Sequence, residues 1–283
     1  MNEETDASKK SRLSPRILTA IVGIPIVLAI VYVGGWLLYT VAILLAFFSL
    51  MELVNATRES STRIESLGVG LLFILFPSTY ESAATKGFLY NFPHQLPFTE
   101  NFYFLFLLAI TIAIFFYNSK NAISLMSLAL TIFAVLYLSL FAFIPILQSL
   151  PNGHALLWLT LFCVWTGDTL AYFGGRRFGR TKLTPLSPGK SREGALCGFI
   201  GSVLVGAIIG NYSAIGIGHG IALGALVGVF APLGDLAESF WKRELGVKDL
   251  GTILPGHGGV LDRCDSLLFA APVAYFYAKA FLK

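Results

Sequence analysis

Acidic residues, basic residues, a histidine and glycines occur together between Ser239 and Asp265 as they do nowhere else in the chain. Only 13% of the 283 residues are charged, so this concentration calls for a chemical explanation. Asp262 and Asp265 stand three residues apart, a spacing that places both carboxylates on one face of a helix. A second polar stripe with helical spacing lies upstream and contains Asp235, Glu238, Ser239 and Lys242. Carboxylates on two separate helix ends are the oxygen ligands that Mg²⁺ needs when it bridges nucleotide phosphates.

A glycine-rich segment, Pro255-Gly256-His257-Gly258-Gly259, connects these two stripes. Glycine has no side-chain barrier, so a ligand can approach the backbone of this segment closely. His257 could donate a hydrogen bond to a phosphate or act as an acid or base. It could equally hold a tight turn, and the residues alone leave both interpretations open.

A basic loop between Gly174 and Gly194 contains six basic residues and one acidic residue. Basic loops mark the cytoplasmic side of membrane proteins whatever their function. However, Ser187-Pro188-Gly189-Lys190-Ser191 also predicts the start of a helix, where free amides and the helix dipole attract anions. We therefore expect phosphate binding here. The segment is not a P-loop, because Thr184 replaces the required glycine and no strand can precede it.

Asp168 lies late in an apolar run, with Tyr172 on the same helix face one turn later. A carboxylate at this depth costs about 2.5 to 3.5 kcal/mol on insertion scales, and such residues usually face a polar interior. Asp168 is therefore expected either to line a cavity or to form a hydrogen bond with a neighbouring helix.

The elements that position these residues are apolar helices. Hydrophobic residues make up 55% of the chain, which is too apolar for a soluble domain. Runs of about 20 apolar residues, the length that crosses a bilayer, recur along the chain. They predict an all-α, polytopic integral membrane protein with about nine transmembrane helices, near 17–33, 36–54, 67–80, 102–117, 123–147, 155–173, 196–212, 221–236 and 266–282.

The distribution of Lys and Arg predicts the orientation of these helices. The N-terminus and the motif-bearing loops are expected in the cytoplasm, because the opposite loops carry almost no basic residue beyond Lys86. The membrane is expected to be a plasma or inner membrane. We divide the chain into an N-terminal transmembrane scaffold region, 1–150, and a C-terminal catalytic region, 151–283. The three cysteines form no C-x-x-C pair, so neither a zinc site nor a disulfide framework is indicated.

The polar residues from Ser239 to Asp265 resemble the signature of the phosphatidate cytidylyltransferase family. That signature runs Ser, two residues, Lys-Arg, four residues, Lys-Asp, then Pro-x-His-Gly-Gly and Asp-Arg-x-Asp, and every polar position of it is present. Segments beginning at Asp168, Gly179 and Ser187 also resemble family motifs. Trp241 and Cys264 depart from the usual residues, but only at apolar positions. The first half of the chain resembles the family in hydropathy alone.

The resemblance implies a reaction in which CTP and phosphatidic acid give CDP-diacylglycerol and pyrophosphate. It implies Mg²⁺ held by Asp235 and Asp262, with Asp265 as a ligand or a supporting residue, and it leaves a second cation open. The catalytic candidates are Lys190, Asp235, Asp262 and Asp265. The substrate-binding candidates are Asp168, Lys182, Ser187, Lys190, Arg192, Glu193, Lys242, Arg243, Lys248, Asp249, His257, Gly258, Gly259 and Arg263. The expected partners are both substrates and membrane lipid but no nucleic acid, and a homodimer stays open.

Two other functions fit part of the pattern. A CTP-dependent lipid-alcohol kinase, resembling dolichol kinases, would transfer the γ-phosphate and release CDP, so the nucleotide product distinguishes it. A transporter of an anionic solute would use charged positions reachable from both sides of the membrane. Nearly all the charged positions of this sequence are expected on one side, which argues against transport.

Overall fold

The computed structural model describes residues 21–58, 62–72, 111, 124–247, 250–251 and 258–282. These residues form helices and no β-strand, with one isolated antiparallel bridge between Lys182 and Ser191. In chain order the helices are α1 (Ile21–Val33), α2 (Gly35–Ala56), α3 (Leu125–Ser149), α4 (Gly153–Phe178), α5 (Arg192–Tyr212), α6 (Ile217–Glu244) and α7 (Leu261–Phe281). A 3₁₀ turn at Leu140–Ala142 interrupts α3, and a short helical segment covers 67–72.

Five of these helices, α2 to α6, are long enough and apolar enough to cross a membrane. The prediction of an all-α membrane protein is therefore confirmed. The count of nine spans stays a prediction. The predicted span 67–80 is described only over its first turns, and 102–117 lies outside the described residues except for residue 111. The shorter apolar helix α1 coincides with most of the first predicted span.

The helices near the motif loops extend beyond their apolar runs. Helix α4 ends at Phe178 rather than near residue 173, and α6 ends at Glu244 rather than near residue 236. Hydropathy marks the part of a helix that matches lipid, whereas the helix itself continues into polar residues. Arginines and lysines occupy the last turn of both helices, where the negative end of the helix dipole favours cations.

The turn expected at Gly34-Gly35 joins α1 to α2. Both glycines adopt the left-handed conformation, with φ of 62° and 52°. The side chain of Gln148 on α3 completes the turn, because its Oε1 accepts a hydrogen bond from the Gly35 N–H at 3.0 Å and its Nε2 donates to the Val31 carbonyl at 2.9 Å. The first helices are thereby tied to α3.

Glycines allow α4, α5 and α6 to pack closely. A Cβ atom at Gly198 on α5 would lie 2.7 Å from the carbonyl oxygen of Gly167 on α4. On the other side of α5, a Cβ atom at Gly210 would lie 2.8 Å from the Cα of Gly220 on α6. Small residues at such positions let the backbones of membrane helices approach one another. These three helices therefore form a tight unit in which side chains near the polar end can converge.

The polar ends of several helices meet at one end of this bundle. The loop 179–191 joins α4 to α5 there, and the end of α6 lies beside the start of α7. Gly234 on α6 has no side chain and so leaves room for the carbonyl group of Asp265 on α7. The side chain of a larger residue would fill that space. Glu52, near the end of α2, contacts the start of α7 through hydrogen bonds. Buried residues from both halves of the chain belong to one hydrophobic core, while the division at residue 150 stays a prediction.

Candidate active site

A cavity of about 540 Å³ lies between α4, α5, α6 and α7 at the polar end of the bundle. Six of the residues predicted to carry the chemistry line it: Asp168, Lys190, Asp235, Asp262, Arg263 and Asp265. Tyr172 and Arg176 on α4 also contribute. Much of the remaining lining consists of small residues, including Gly167, Gly198, Ser202 and Gly228. Of the two alternatives for Asp168, the structure favours the first, because this residue lines the cavity.

Helix α5 begins where the Ser-Pro-Gly-Lys-Ser segment predicts. Ser191 is its N-cap residue, and the Ser191 hydroxyl accepts a hydrogen bond from the Gly194 N–H at 3.1 Å. The sequence predicts free backbone amides at this helix start, but the structure shows that some of them are hydrogen bonded. The Arg192 N–H donates to the Thr181 carbonyl at 2.9 Å, so together with the Gly194 N–H two of the first amides of α5 already have partners. A phosphate at this loop would therefore meet the Lys190 side chain rather than a set of open amides.

Glu193, one of the predicted substrate-binding residues, holds the basic loop in shape. Its carboxylate accepts hydrogen bonds from the Arg180 N–H at 3.1 Å and from the Thr181 N–H at 3.2 Å. The Leu183 N–H also donates to the Lys190 carbonyl at 2.9 Å, so the loop folds back on itself. These contacts present the Lys190 side chain toward the cavity.

Lys190 connects this loop to α6. Its Nζ lies 2.6 Å from Oδ2 of Asp235, and both side chains remain partly exposed to the cavity. A lysine paired in this way neutralises a carboxylate, yet it stays accessible to a competing anion. Pairs of this exposure contribute little to stability, about 0 to 1 kcal/mol.

Lys242 connects α6 to α7 through a more buried cluster. Its Nζ lies 3.0 Å from Oε1 of Glu238, one turn earlier on α6, and it also contacts Oδ1 of Asp262 on α7. Glu238 and Asp262 have only 3% and 6% of their side-chain surface exposed. One ammonium group thus links two buried acidic side chains on neighbouring helices.

Asp262 lies just before the predicted span 266–282. Burial alone would raise the pKa of its carboxyl group, but hydrogen bonds with Glu238, with Lys242 and from the Gly259 N–H outweigh burial and lower the pKa. The Gly259 N–H donates to Oδ2 at 2.7 Å. Asp262 is therefore held as a charged carboxylate whose orientation is fixed by its neighbours.

Asp265 occupies the next turn of α7. It is 9% exposed, and its Oδ1 accepts a hydrogen bond from the Ser266 N–H at 2.6 Å. The absence of a side chain at Gly234 brings the backbone of α6 against this turn. The i, i+3 spacing predicts that Asp262 and Asp265 share one face of a helix. In agreement with this prediction, both residues line the same cavity.

The donors around the cavity fit a hard cation in their chemistry. Asp235, Asp262 and Asp265 offer carboxylate oxygens from two helices, which is the ligand type that Mg²⁺ prefers. In the described part of the chain, however, no three or more acidic, His or Cys side chains are arranged as a metal site. Instead, the ammonium groups of Lys190 and Lys242 lie against these carboxylates. Binding of a divalent cation would therefore require at least one lysine to leave its partner.

The other predicted site residues occupy different surroundings. Lys182, Ser187, Arg192 and Glu193 belong to the loop and the first turn of α5, and Arg243 is exposed near the end of α6. None of these five residues lines the cavity described above. Gly258 and Gly259 lie immediately before α7, where Gly258 has a φ of 84°. Lys248, Asp249 and His257 lie outside the described residues.

Two acidic residues, Glu238 and Glu52, make contacts that the sequence does not predict. Glu238 was recognised as part of a polar stripe, but its buried pairing with Lys242 was not predicted. Glu52 lies near the end of the second predicted helix, where the sequence predicts no role for it, yet its carboxylate reaches the start of α7. The one available signal for Glu52 was a carboxylate close to the membrane boundary in an otherwise apolar helix.

Comparison with known proteins identifies the relatives of this chain. The family model described as the cytidylyltransferase family matches residues 14–281. The chain belongs to the cytidylyltransferase family. This membership confirms the resemblance that the motifs indicated. The match also extends through the first half of the chain, where the motifs alone had indicated similarity only in hydropathy.

Individual relatives within the cytidylyltransferase family agree with this match. A protein of Synechocystis sp. named phosphatidate cytidylyltransferase is 33% identical over 285 aligned residues, covering 93% of this chain and 95% of the relative. A protein of the same name from Staphylococcus aureus strain COL is 33% identical over 265 residues, covering 91% and 96%. One from Staphylococcus saprophyticus is 33% identical over 269 residues, with the same coverage.

Proposed function

We propose that this protein is a phosphatidate cytidylyltransferase, a membrane nucleotidyltransferase that transfers CMP from CTP to phosphatidic acid and releases pyrophosphate. Family membership and the names of its relatives support this activity. The structural observation that supports it most is one cavity at the polar end of a membrane bundle. That cavity is lined by acidic and basic side chains, and much of its remaining lining consists of small residues. Such a cavity suits a substrate with charged phosphates and an apolar tail.

The proposed reaction is a direct in-line displacement. An oxygen of the lipid phosphate forms a bond with the α-phosphorus of CTP, while the bond from the α-phosphorus to the β-phosphate oxygen breaks and pyrophosphate leaves. A phosphate monoester is already an anionic nucleophile at neutral pH, so no covalent enzyme intermediate is needed. The protein then contributes mainly positioning and neutralisation of charge.

The basic residues at the cavity would bind the phosphate groups. Lys190 and Arg263 line the cavity directly, and we assign them to the triphosphate or to the lipid phosphate. Lys190 would exchange its contact with Asp235 for a contact with phosphate oxygens, which frees that carboxylate. Hydrogen bonds between an ammonium group and phosphate oxygens are charge-assisted and therefore strong.

Asp235, Asp262 and Asp265 would hold Mg²⁺, which neutralises charge on the phosphates during transfer. Asp235 is the most accessible of the three, because about a third of its side chain is exposed, and its partner Lys190 lies on a loop. Asp262 and Asp265 are held more rigidly on α7 by hydrogen bonds from the Gly259 N–H and the Ser266 N–H. The chain thus offers one adaptable and two fixed carboxylates.

We propose that the protein resides in a plasma or inner membrane and that its cavity faces the cytoplasm. The basic loop between α4 and α5 and the basic end of α6 lie at the cavity end of the bundle, as the positive-inside rule expects for cytoplasmic ends. Phosphatidic acid would enter between helices from the cytoplasmic leaflet, with its acyl chains remaining in lipid.

The product of a single incubation tests this function. Purified protein is supplied with phosphatidic acid, Mg²⁺ and CTP labelled on cytosine. Label in the lipid fraction, together with release of pyrophosphate, is the expected result. Release of labelled CDP with phosphorylation of a lipid alcohol would favour the kinase instead. Absence of any nucleotide turnover by folded protein would reject both enzymatic functions.

A further inference from the structure

Glu52 on α2 contacts the start of α7, which lies far from it along the sequence. Its side chain is buried, with 3% of the residue exposed. Oε1 accepts a hydrogen bond from the Val260 N–H at 2.8 Å, and Oε2 accepts one from the Leu261 N–H at 3.2 Å. A carboxylate from the first half of the chain therefore caps a helix that begins 209 positions later.

The start of α7 lacks a cap of its own. Val260 occupies the N-cap position, and its apolar side chain makes no capping hydrogen bond. The first amides of a helix have no partner within the helix, and a buried amide without a partner is costly. A carboxylate at this end also interacts favourably with the helix dipole. Glu52 thus supplies from another helix what the local sequence of α7 does not.

The surroundings of Glu52 are shaped to admit its carboxylate. A Cβ atom at Gly259 would lie 2.7 Å from Oε2, and a Cβ atom at Gly251 would collide with the same carboxylate. Both glycines lie in the segment that leads from α6 to α7. Gly259 was predicted to let a ligand approach the backbone, and the structure shows that the Glu52 side chain makes that close approach.

The capped amides stand directly beside the carboxylates of the cavity. Leu261 immediately precedes Asp262, and Asp265 follows one turn later. The Gly259 N–H, next to the capped Val260, donates to Asp262 Oδ2. The orientation of Asp262 toward Lys242 and the cavity therefore depends on how this first turn is held. Glu52 itself does not line the cavity.

We propose that Glu52 is a positioning residue that holds the first turn of α7, and with it Asp262 and Asp265, in the orientation needed for CMP transfer. The kinetic part of this inference rests on the proposed function, whereas the cap rests on the contacts alone. Residues that orient metal-binding or catalytic groups typically change affinity or activity by about 10- to 100-fold when they are replaced.

The test compares Glu52→Ala, Glu52→Gln and Glu52→Asp in the full-length protein. Glutamine keeps one carbonyl acceptor and removes the charge, while aspartate keeps the charge but shortens the side chain. Hydrogen–deuterium exchange at Val260 and Leu261, measured without substrates, reports on the cap directly. We expect exchange at these amides to rise at least about tenfold in Glu52→Ala, and kcat to fall about 10- to 100-fold. Glu52→Gln should be intermediate in both measurements.

Gln148→Ala is the matched control. Gln148 also completes a backbone turn through a side chain from a distant helix, but its partners Val31 and Gly35 lie away from the cavity. Its loss should lower thermal stability while leaving kcat within about twofold and exchange at the start of α7 unchanged. A purely structural cap by Glu52 would instead raise exchange at the start of α7 while leaving kcat within this same range.

Two results would overturn the proposal. One is unchanged exchange at Val260 and Leu261 in Glu52→Ala. The other is a kcat of wild-type size in the folded Glu52 variants. If Glu52→Ala does not fold, Glu52→Gln decides by the same two measurements. A wild-type protein that makes no CDP-diacylglycerol would reject the proposed function, and the exchange measurement would then still decide whether Glu52 caps α7.

Discussion

The ammonium group of Lys190 lies 2.6 Å from a carboxylate oxygen of Asp235, and this contact joins the basic loop to α6 across the cavity. Both side chains retain about a third of their surface, at 28% and 35% exposure. The pair is therefore accessible to phosphate and to a divalent cation, each of which would compete for one partner. We infer that this contact is exchanged for substrate contacts rather than retained during turnover.

Replacing Lys190 by alanine should impair catalysis far more than folding. A lysine that contacts a charged phosphate oxygen contributes about 2 kcal/mol or more to transition-state stabilisation, which corresponds to a fall in kcat/KM of about 30-fold. The exposed pair with Asp235 should contribute no more than about 1 kcal/mol to stability. Arg177→Ala is the control, because Arg177 carries the same charge nearby and does not line the cavity. If the kinetics of Lys190→Ala are unchanged, the basic loop serves only to fix the orientation of the protein in the membrane.

Asp235→Asn should nearly abolish turnover in a protein that stays folded. Asparagine keeps the size of aspartate but removes the charge, so a hard cation loses an anionic ligand. The measurements are Mg²⁺-dependent turnover and thermal stability in detergent. Near-normal turnover at saturating Mg²⁺ would reject Asp235 as a metal ligand. Inactivity that follows entirely from unfolding would reject it as well.

Asp262→Asn should also nearly abolish turnover, but here a loss of stability is expected in addition. Asp262 shares the ammonium group of Lys242 with Glu238 in a buried cluster, whereas Asp235 pairs at the cavity surface. The comparison of the two asparagine variants therefore separates a ligand role from a structural pairing role. If the activity of Asp262→Asn falls only in proportion to the fraction of protein that is folded, Asp262 acts only as a structural partner of Lys242. The polar stripe in the sequence suggests Glu238→Gln as a control variant without effect on activity. This variant is unsuitable, because Glu238 is part of the buried cluster.

The apolar runs predicted the helices well where the structure describes them, because hydropathy directly reflects the contact of each helix with lipid. Local spacing also placed Asp262 and Asp265 on one face. The helix ends were less predictable, since α4 and α6 continue into charged residues that hydropathy treats as loop. A helix of this kind is stabilised at its end by its dipole rather than by lipid.

Contacts between distant parts of the chain could not be predicted from spacing. The hydrogen bonds of Glu52 join residues more than 200 positions apart, and nothing in the local sequence of α2 indicates its partner. The amides at the start of α5 illustrate a different difficulty. The Ser-Pro-Gly-Lys-Ser segment predicted the helix start correctly, but the pairing of Arg192 with Thr181 depends on how the loop folds back.

Lys242→Met should destabilise the protein by about 3 kcal/mol, because it leaves the buried carboxylate of Asp262 without its cation. Activity should fall as well, since Asp262 loses a partner that orients it. Thermal unfolding in detergent compares this variant with the wild type. Equal stability of the wild type and Lys242→Met would show that the cluster contributes nothing to the packing of α6 on α7.

Gly234→Ala tests whether close packing of α6 against α7 positions the site. The added Cβ would collide with the carbonyl oxygen of Asp265, and backbone atoms cannot move aside as a flexible side chain can. Overpacking of this kind typically costs about 1 to 3 kcal/mol, so the thermal midpoint should fall.

Turnover of the folded fraction of Gly234→Ala should also fall, because Asp235 and Asp265 would be moved apart. Gly218→Ala, near the other end of the same helix, meets no atom within 4 Å and is the matched control. Its stability should be unchanged or higher by up to about 1 kcal/mol, since alanine favours helix more than glycine does. Wild-type turnover in Gly234→Ala would mean that the separation of α6 and α7 at this point does not determine the geometry of the site.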